Sequence, residues 1–255
     1  DIGIARQGRH DGPGKVIVVG LIQSICKDKY PENWKAHFGT VILDEVDLFP
    51  TALFRAGCVL FPARWRLAGT ATLHRADGLS TLLDWHVGPV LGSMMEPDVV
   101  PDVYPLLHEA LVDTSRFIWR VGGVERISYV KMMAALSRET GRNARIIFQA
   151  ERAFRAGRKV LVLSHLREHL TLLHRMAVAD RMIPAELTAL FLGGQKKGEQ
   201  EAARRARVIF GTYRMVGRGV DIADLDALIF ATPTADPRQA VGRLLRRLPG
   251  KPTPL

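Results

Sequence analysis

Six short runs of almost unbroken apolar residues constrain this chain more than any other feature. They are residues 15–20 (KVIVVG), 40–43 (TVIL), 66–69 (RLAG), 158–163 (RKVLVL), 206–210 (ARVIF) and 227–230 (ALIF). A strand solvated on one side alternates apolar and polar side chains. A strand apolar throughout is expected to be covered on both faces, as in a parallel sheet flanked by helices. Longer stretches of helical pattern lie between the runs, for example residues 144–156 and 166–178. Strand, crossover helix and strand in succession predict an α/β fold.

The rhythm breaks over residues 92–125, where Pro97, Pro101, Pro105 and the Gly122-Gly123 pair fall. The expected division is therefore into residues 1–122 and 123–255, and 255 residues suit two modest domains at roughly 100–200 residues each. A content of 47% hydrophobic and 24% charged residues is ordinary for a soluble globular protein. No run approaches the ~18 apolar residues of a membrane span, and no leader with a cleavage site opens the chain. The expectation is a cytoplasmic protein of a bacterium or a phage-infected host cell, with no membrane partner. The opening at Asp1 and the Gly/Pro-rich end read as the edges of a fragment.

Net charge is +10 and unevenly spread: residues 126–255 carry 24 Lys/Arg against 11 Asp/Glu, residues 1–125 carry 12 against 15. The later half is thus the better candidate for meeting phosphates. Cys26 and Cys58 have no Cys partner at metal spacing and read as core thiols in a reducing compartment. His165, His169 and His174 lack the ligands to complete a metal site and read as positions on a surface helix. Trp34, Trp65, Trp85 and Trp119 are too scattered for a base-stacking platform, and packing in cores and interfaces is expected.

Chemistry enters at Asp44-Glu45-Val46-Asp47, directly after a strand. Ligands of open α/β sheets bind at the carboxyl ends of strands. A carboxylate there can hold Mg²⁺, and a second can orient or deprotonate a water attacking a phosphoryl group. Gly69-Thr70-Ala71-Thr72 again follows a strand, as does Gly211-Thr212, with Gly217-Arg218-Gly219-Val220-Asp221 close behind. Gln239, Gly242, Arg243 and Arg246 then open a helix, with the two arginines three apart and so on one face.

The order of acidic box, Thr-Ala-Thr, Gly-Val-Asp and Gln-x-x-Gly-Arg-x-x-Arg resembles motifs II, III, V and VI of the superfamily-2 helicases. Residues 19–24 (VGLIQS), 70–78 (TATLHRADG), 86–89 (HVGP), 193–197 (GGQKK) and 211–221 are most similar to the UvsW/XPB-like DNA helicases of phages and bacteria. The resemblance implies two RecA-like lobes, each a parallel sheet flanked by helices, with the first lobe incomplete. It implies an ATP hydrolase using ATP and Mg²⁺ to move along nucleic acid, DNA rather than RNA. On that resemblance Asp44 binds Mg²⁺ through water, Glu45 positions the attacking water, and Asp47 links the ATP site to motion. Thr70 and Thr72 bridge nucleotide and lobe interface. Gly219, Asp221 and Gln239 attend the nucleotide, and Arg243 and Arg246 act as arginine fingers on the γ-phosphate.

Nucleic-acid contacts are expected at Gln23, Ser24, Ser164, His165, Gly193, Gly194 and Thr212, where small residues and hydroxyls let a backbone approach phosphates. Lys196 and Lys197 add charge. A phosphate-cradling loop, G-x-x-x-x-G-K-S/T, does not occur in these 255 residues. Gly12-Pro13-Gly14-Lys15 imitates its end, but Val16 follows the lysine and a strand comes next. The chain alone is therefore expected to be inactive. The alternatives are an RNA helicase, or a nucleic-acid-binding scaffold whose ATPase activity is lost.

Overall fold

The computed structural model of the chain describes all residues except 8, 13, 27–29, 47–59, 71–77, 79, 94–99, 110–111, 180–181, 218–221, 223, 235–236, 246–249 and 252. The chain divides into two compact units, Asp1–Met95 and Glu96–Leu255.

In the first unit, Ile2–Arg6 (β1) lies between Arg9–His10 (β2), antiparallel to it, and Ile17–Gly20 (β3), parallel to it. Ile22–Ile25 (α1) and Glu32–Ala36 (α2) follow. Trp34 on α2 organises a small core with Ala5, Ile25, Tyr30, Phe61 and Ala63, stacking on Tyr30 at 4.9 Å and meeting Phe38 edge-on at 5.0 Å. Gly12 makes room for it, since a Cβ there would come within 2.5 Å of the indole nitrogen. Thr40–Asp44 (β4) and Trp65–Gly69 (β5) pair in parallel, and Thr81–His86 (α3) packs on them through Leu83 against Leu43 and Val46.

The expectation of strands covered on both faces does not hold here. Alternate residues of a strand face opposite sides. Val41 and Leu43 meet α3, whereas Ile42 is 71% exposed, and Leu67, which pairs with it, is exposed too.

The first strands of the second unit form a hairpin, Ile118–Val121 (β6) and Val124–Ile127 (β7), clasped by an Arg120–Glu125 ion pair of 2.6 Å. Gly122 (φ 57°) and Gly123 (φ 80°) are its turn. Two-residue hairpin loops with both residues left-handed match the twist of the strands they join, and Gly-Gly suits them. The glycine pair is thus a hairpin turn, and the compact units divide at Met95/Glu96, while the expected division falls inside this hairpin. The intervening stretch is tied to the second unit by His108 on Glu139 (2.6 Å), Arg145 on the Leu107 carbonyl (2.6 Å) and the Asp102 amide on the Pro254 carbonyl (2.9 Å). Counted by these units, the first carries 10 Lys/Arg against 9 Asp/Glu and the second 26 against 17, so the positive charge remains with the second.

Tyr129–Leu136 (α4) and Thr140–Arg155 (α5) lead into Val160–Ser164 (β8), followed by Arg167–Ala179 (α6) and Thr188–Phe191 (β9). Lys197–Arg205 (α7), Val208–Thr212 (β10), Tyr213–Gly217 (α8), Ala227–Phe230 (β11) and Arg238–Leu244 (α9) complete the described elements. The four strands form one parallel sheet in the order β11-β8-β10-β9. Here the sequence expectation of two covered faces is met. Val160 and Val162 pack with Ile147, Ala150, Leu170 and Leu173 of α5 and α6, while Leu161 and Leu163 pack with Ala203, Val216, Ala240 and Leu244 of α7, α8 and α9. Each of these four strand residues is fully buried, which contributes about 1.5–3 kcal/mol apiece.

The three histidines do not share a surface. His165 is exposed and His174 is half-buried, its Nε2 against Thr188 Oγ1 at 2.9 Å. His169 is buried between Ser164 Oγ (3.0 Å from Nδ1) and Asn143 Oδ1 (2.9 Å from Nε2). Asn143 Nδ2 donates to the Ser137 carbonyl at 2.8 Å, so its oxygen faces the ring. The ring therefore donates from Nε2 and accepts the Ser164 hydroxyl proton at Nδ1. No group of three metal-ligating side chains occurs among the described residues. Of the tryptophans, Trp34 is core, but Trp65, Trp85 and Trp119 are exposed. Cys26 is half-buried and Cys58 lies outside the described residues.

Burial, with Arg142 nearby, pulls the His169 imidazole down to about 4. An unfolded histidine titrates near 6.5, so below that pH the unfolded chain takes up a proton that the folded one refuses. Stability from this group is complete above about pH 6.5 and is lost as pH falls toward 4, by about 2 kcal/mol at pH 5. Urea denaturation at a series of pH values should show this slope, and His169→Gln should flatten it.

Candidate nucleotide and nucleic-acid site

The parallel register of β4 and β5 sets Thr40 opposite Trp65 and Asp44 opposite Gly69. The acidic box and the Gly-Thr segment, far apart in sequence, thereby end at one carboxyl edge. Asp44 is exposed, and its Oδ1 accepts the Glu45 amide at 3.0 Å. Glu45 is left-handed, at φ 51°. A side chain with a Cβ pays about 1 kcal/mol or more for that conformation, and such strain concentrates at functional sites. The turn swings Glu45 out of the strand direction immediately beyond Asp44. Thr70 is half-buried next to this edge; Asp47 and Thr72 lie outside the described residues.

Gln23 and Ser24 sit on α1, just after β3. Gln23 is exposed, but Ser24 is buried and its Oγ accepts the Gln7 amide at 3.1 Å. Gln7 is itself left-handed, at φ 41°. Ser24 thus braces the turn after β1. Lys15 precedes strand β3, as its sequence context indicated, and pairs with Asp1 at 2.6 Å. A phosphate-loop lysine would open a helix instead.

In the second unit the registers align Ser164 of β8 with Thr212 of β10, and Phe191 of β9 with Gly211. Ser164, His165, Gly193, Gly194, Lys196, Lys197 and Thr212 consequently gather along the carboxyl edge of one sheet. Gly194 has a φ of 88°, which only glycine adopts freely. Its loop is held by Gln195, whose Oε1 accepts the Leu192 amide at 2.8 Å and whose Nε2 donates to the Leu190 carbonyl at 3.1 Å. Lys196 caps α7, its amide donating to Glu199 Oε2 at 2.9 Å, and the side chains of Lys196 and Lys197 are exposed.

Ser164 is a correction to the sequence expectation. It is fully buried, its Oγ accepts the Leu166 amide at 3.1 Å, and its proton goes to His169. It holds the turn after β8 from behind. Thr212 is likewise buried. His165 remains at the surface, its ring 4.4 Å from Tyr213, its amide donating to Thr232 Oγ1 at 3.0 Å and its Nε2 on the Pro233 carbonyl at 3.1 Å. Tyr213 in turn donates its hydroxyl to the Thr232 carbonyl, and burial pushes that hydroxyl up to about 12. Arg142 of α5 donates to the neighbouring Ala231 carbonyl. Sequence reasoning missed Arg142, Asn143, Tyr213 and Thr232, which brace this edge. Their only signal was position, after or beside predicted strands.

Gln239 and Arg243 lie four apart on α9, and so on one helix face. Arg246, Gly219 and Asp221 lie outside the described residues. Among the described residues no helix is long and apolar enough to cross a membrane.

No protein-family model matches the chain. By sequence it is 26% identical over 235 residues to a protein of Acanthamoeba polyphaga mimivirus assigned as an ATP-dependent RNA helicase, covering 90% of this chain and 44% of the relative. It is 25% identical over 244 residues to a protein of Escherichia phage T5 assigned as a helicase, covering 94% of this chain and 52% of the relative. The chain thus spans about half the length of the curated relatives it matches.

By structure it is similar to S. cerevisiae Dbp5 bound to RNA and ADP BeF3, with a TM-score of 0.56, 13% identity, and coverage of 96% of this chain and 60% of that one. It is also similar to the DUF1998 helicase MrfA bound to DNA and AMPPNP, with a TM-score of 0.58, 12% identity, and coverage of 90% and 32%. At these identities the likeness speaks to fold alone, and the fold is RecA-like. T4 UvsW matches at a TM-score of 0.42, which decides nothing about the subfamily. The helicase relatives in sequence and the RecA-like α/β fold together support a superfamily-2 helicase as the kind of protein this chain resembles.

Proposed function

We propose that the chain carries the catalytic carboxylates and the arginine fingers of an ATP-dependent motor that moves along nucleic acid. The observation behind this reading is the alignment of Asp44 with Gly69 at the carboxyl ends of two parallel strands, with the strained Glu45 next in line.

Asp44 suits Mg²⁺ by its donor chemistry, since this ion takes one or two carboxylates and completes its shell with phosphate oxygens and water. When bound, Mg²⁺ neutralises charge on the phosphates. Glu45 orients the attacking water and accepts its proton. Asp47, Thr70, Thr72, Gly219, Asp221 and Gln239 contact the nucleotide or relay its state. Arg243 and Arg246 supply fixed cations for the charge that develops on the transferred phosphoryl group. The domain reading that accompanies this is a helicase ATP-binding lobe followed by a helicase C-terminal lobe.

The track is nucleic acid. Gln23 on the first unit and His165, Gly193, Gly194, Lys196 and Lys197 on the second meet its phosphates. Ser24, Ser164 and Thr212 shape the loops beneath. The motif resemblance favours DNA. RNA is the second reading, favoured by the mimivirus relative assigned as an RNA helicase. Affinities for matched DNA and RNA strands, measured by fluorescence anisotropy on this chain, separate the two.

With no phosphate-cradling loop in its sequence, the 255-residue chain alone should turn over ATP well below about 1 s⁻¹, the low end for working enzymes. A phosphate-release assay with and without a polynucleotide checks this. In a version extended to include such a loop, nucleic-acid-stimulated turnover should appear. Glu45→Gln should then reduce it by about 10²–10⁴-fold and Arg246→Ala by about 10³-fold. Near wild-type turnover in either variant removes the role given to that residue.

Backbone binding of this kind is governed by counterion release. Lys196→Ala with Lys197→Ala should weaken binding to every sequence alike and flatten the salt slope by up to about two units. Fluorescence anisotropy at several salt concentrations reads both effects.

A further inference from the structure

Trp65 and Trp85 are distant in sequence, yet they line one cavity of about 440 Å³ in the first unit. It opens where β5 begins and α3 ends, with Arg64, Trp65 and Arg66 on one wall and Asp84, Trp85 and His86 on the other. The volume falls within the ~300–1,000 Å³ of small-ligand sites. Trp65 stands opposite Thr40 in the strand pair, whereas Asp44 and Gly69 stand at the far end. At ~3.3 Å per residue the cavity is about 13 Å from the carboxylate edge, so it is a separate site.

Its composition is unusual for a solvent-exposed wall. Trp85 is 75% exposed and Trp65 is 60% exposed. The Arg64 guanidinium carbon lies 5.2 Å from the centre of the Trp65 ring, so that indole already has a cation on one face. Arg66 donates to the Phe61 carbonyl at 3.4 Å, which directs its guanidinium while leaving further donors for a ligand. Trp85 keeps its surface open. Two guanidiniums against the single carboxylate of Asp84 favour an anionic ligand. The aromatic surface favours a planar one.

We propose that this cavity docks an unpaired nucleotide of a single-stranded nucleic acid, its base stacked on Trp85 and its phosphates on Arg64 and Arg66. Stacking on an aromatic side chain accepts any base, because every base has a π face, and it is indifferent to the sugar. Guanidinium groups take phosphate oxygens through paired donors. Asp84 can accept from an exocyclic amine. The cavity thus gives a single strand a second hold, away from the edges that carry the helicase motifs. The inference rests on the reading of the chain as a nucleic-acid motor.

The test uses the 255-residue chain and three fluorescein-labelled 20-mers, oligo-dT, oligo-rU and an abasic strand of equal charge, followed by anisotropy. Trp85→Ala should weaken binding of oligo-dT and oligo-rU about tenfold or more and leave the abasic strand unchanged. Trp85→Phe should restore most of the loss. Arg64→Ala with Arg66→Ala should weaken all three strands and lower the salt slope by up to about two units. Trp85 is exposed, so thermal melting should be unchanged in the Ala variant; if it is not, the arginine pair carries the decision. Unchanged binding in the Trp85 and arginine variants, with loss in the Lys196/Lys197 variant, overturns the cavity and leaves the motor reading standing. That outcome would turn the exposed indoles toward a protein partner. A wild-type chain that binds none of the three strands overturns both.

Discussion

Parallel pairing decides where the residues of the candidate site meet. Parallel strands must be joined by crossovers, so their carboxyl ends collect at one edge and the loops leaving them become neighbours. In the second unit the register of β8 with β10 and of β10 with β9 sets residues of three separate loops side by side. In the first unit the register of β4 with β5 does the same for Asp44 and Gly69. The helices on either side of the second sheet exclude water from Val160, Leu161, Val162 and Leu163 and make its edge a stiff frame. Loop residues there inherit their positions from strands that have nowhere else to go.

The braces on that frame are polar and local. Asn143, His169 and Ser164 form a buried chain of hydrogen bonds that runs from the start of α5 to the turn after β8. Every member is satisfied, which is the condition under which a buried polar network rigidifies a core. Thr232 receives the His165 amide and, through its carbonyl, the Tyr213 hydroxyl. Exposed His165 therefore stands on a buried partner that fixes its backbone, while the loop of Gly194 and the two lysines is held by half-buried Gln195 and by Glu199.

Much of this was legible in the sequence, and the parts that were not share a cause. The runs at 158–163, 206–210 and 227–230 are strands of a parallel sheet, because apolar residues without alternation have few other homes. Thr188–Phe191 is a strand as well, in a run (residues 187–192, LTALFL) as apolar as residues 40–43 but outside the six runs that the sequence pattern singled out. Residues 40–43 and 66–69 are strands too, but pattern alone does not say whether a second layer covers Ile42 or Leu67. Gly122-Gly123 suggested a break, and only its pair of left-handed φ values shows a hairpin. Burial of His169 and Ser164, and the cavity that Trp65 and Trp85 both line, arise from tertiary packing and have no local signature. The acidic box was readable because strand end and carboxylate adjoin in sequence; the bracing residues were not, because they come from other elements.

The left-handed backbone at Glu45 has a consequence for how this chain would respond to selection for robustness alone. Glycine adopts that conformation without steric cost, and asparagine tolerates it better than most residues. A thermostability screen blind to turnover would therefore enrich Gly or Asn at position 45, discarding the carboxylate while gaining melting temperature. On the proposed role of Glu45, the most stable descendants of this sequence would lack the carboxylate that orients the attacking water, and a library designed on folding energy alone would steer toward them.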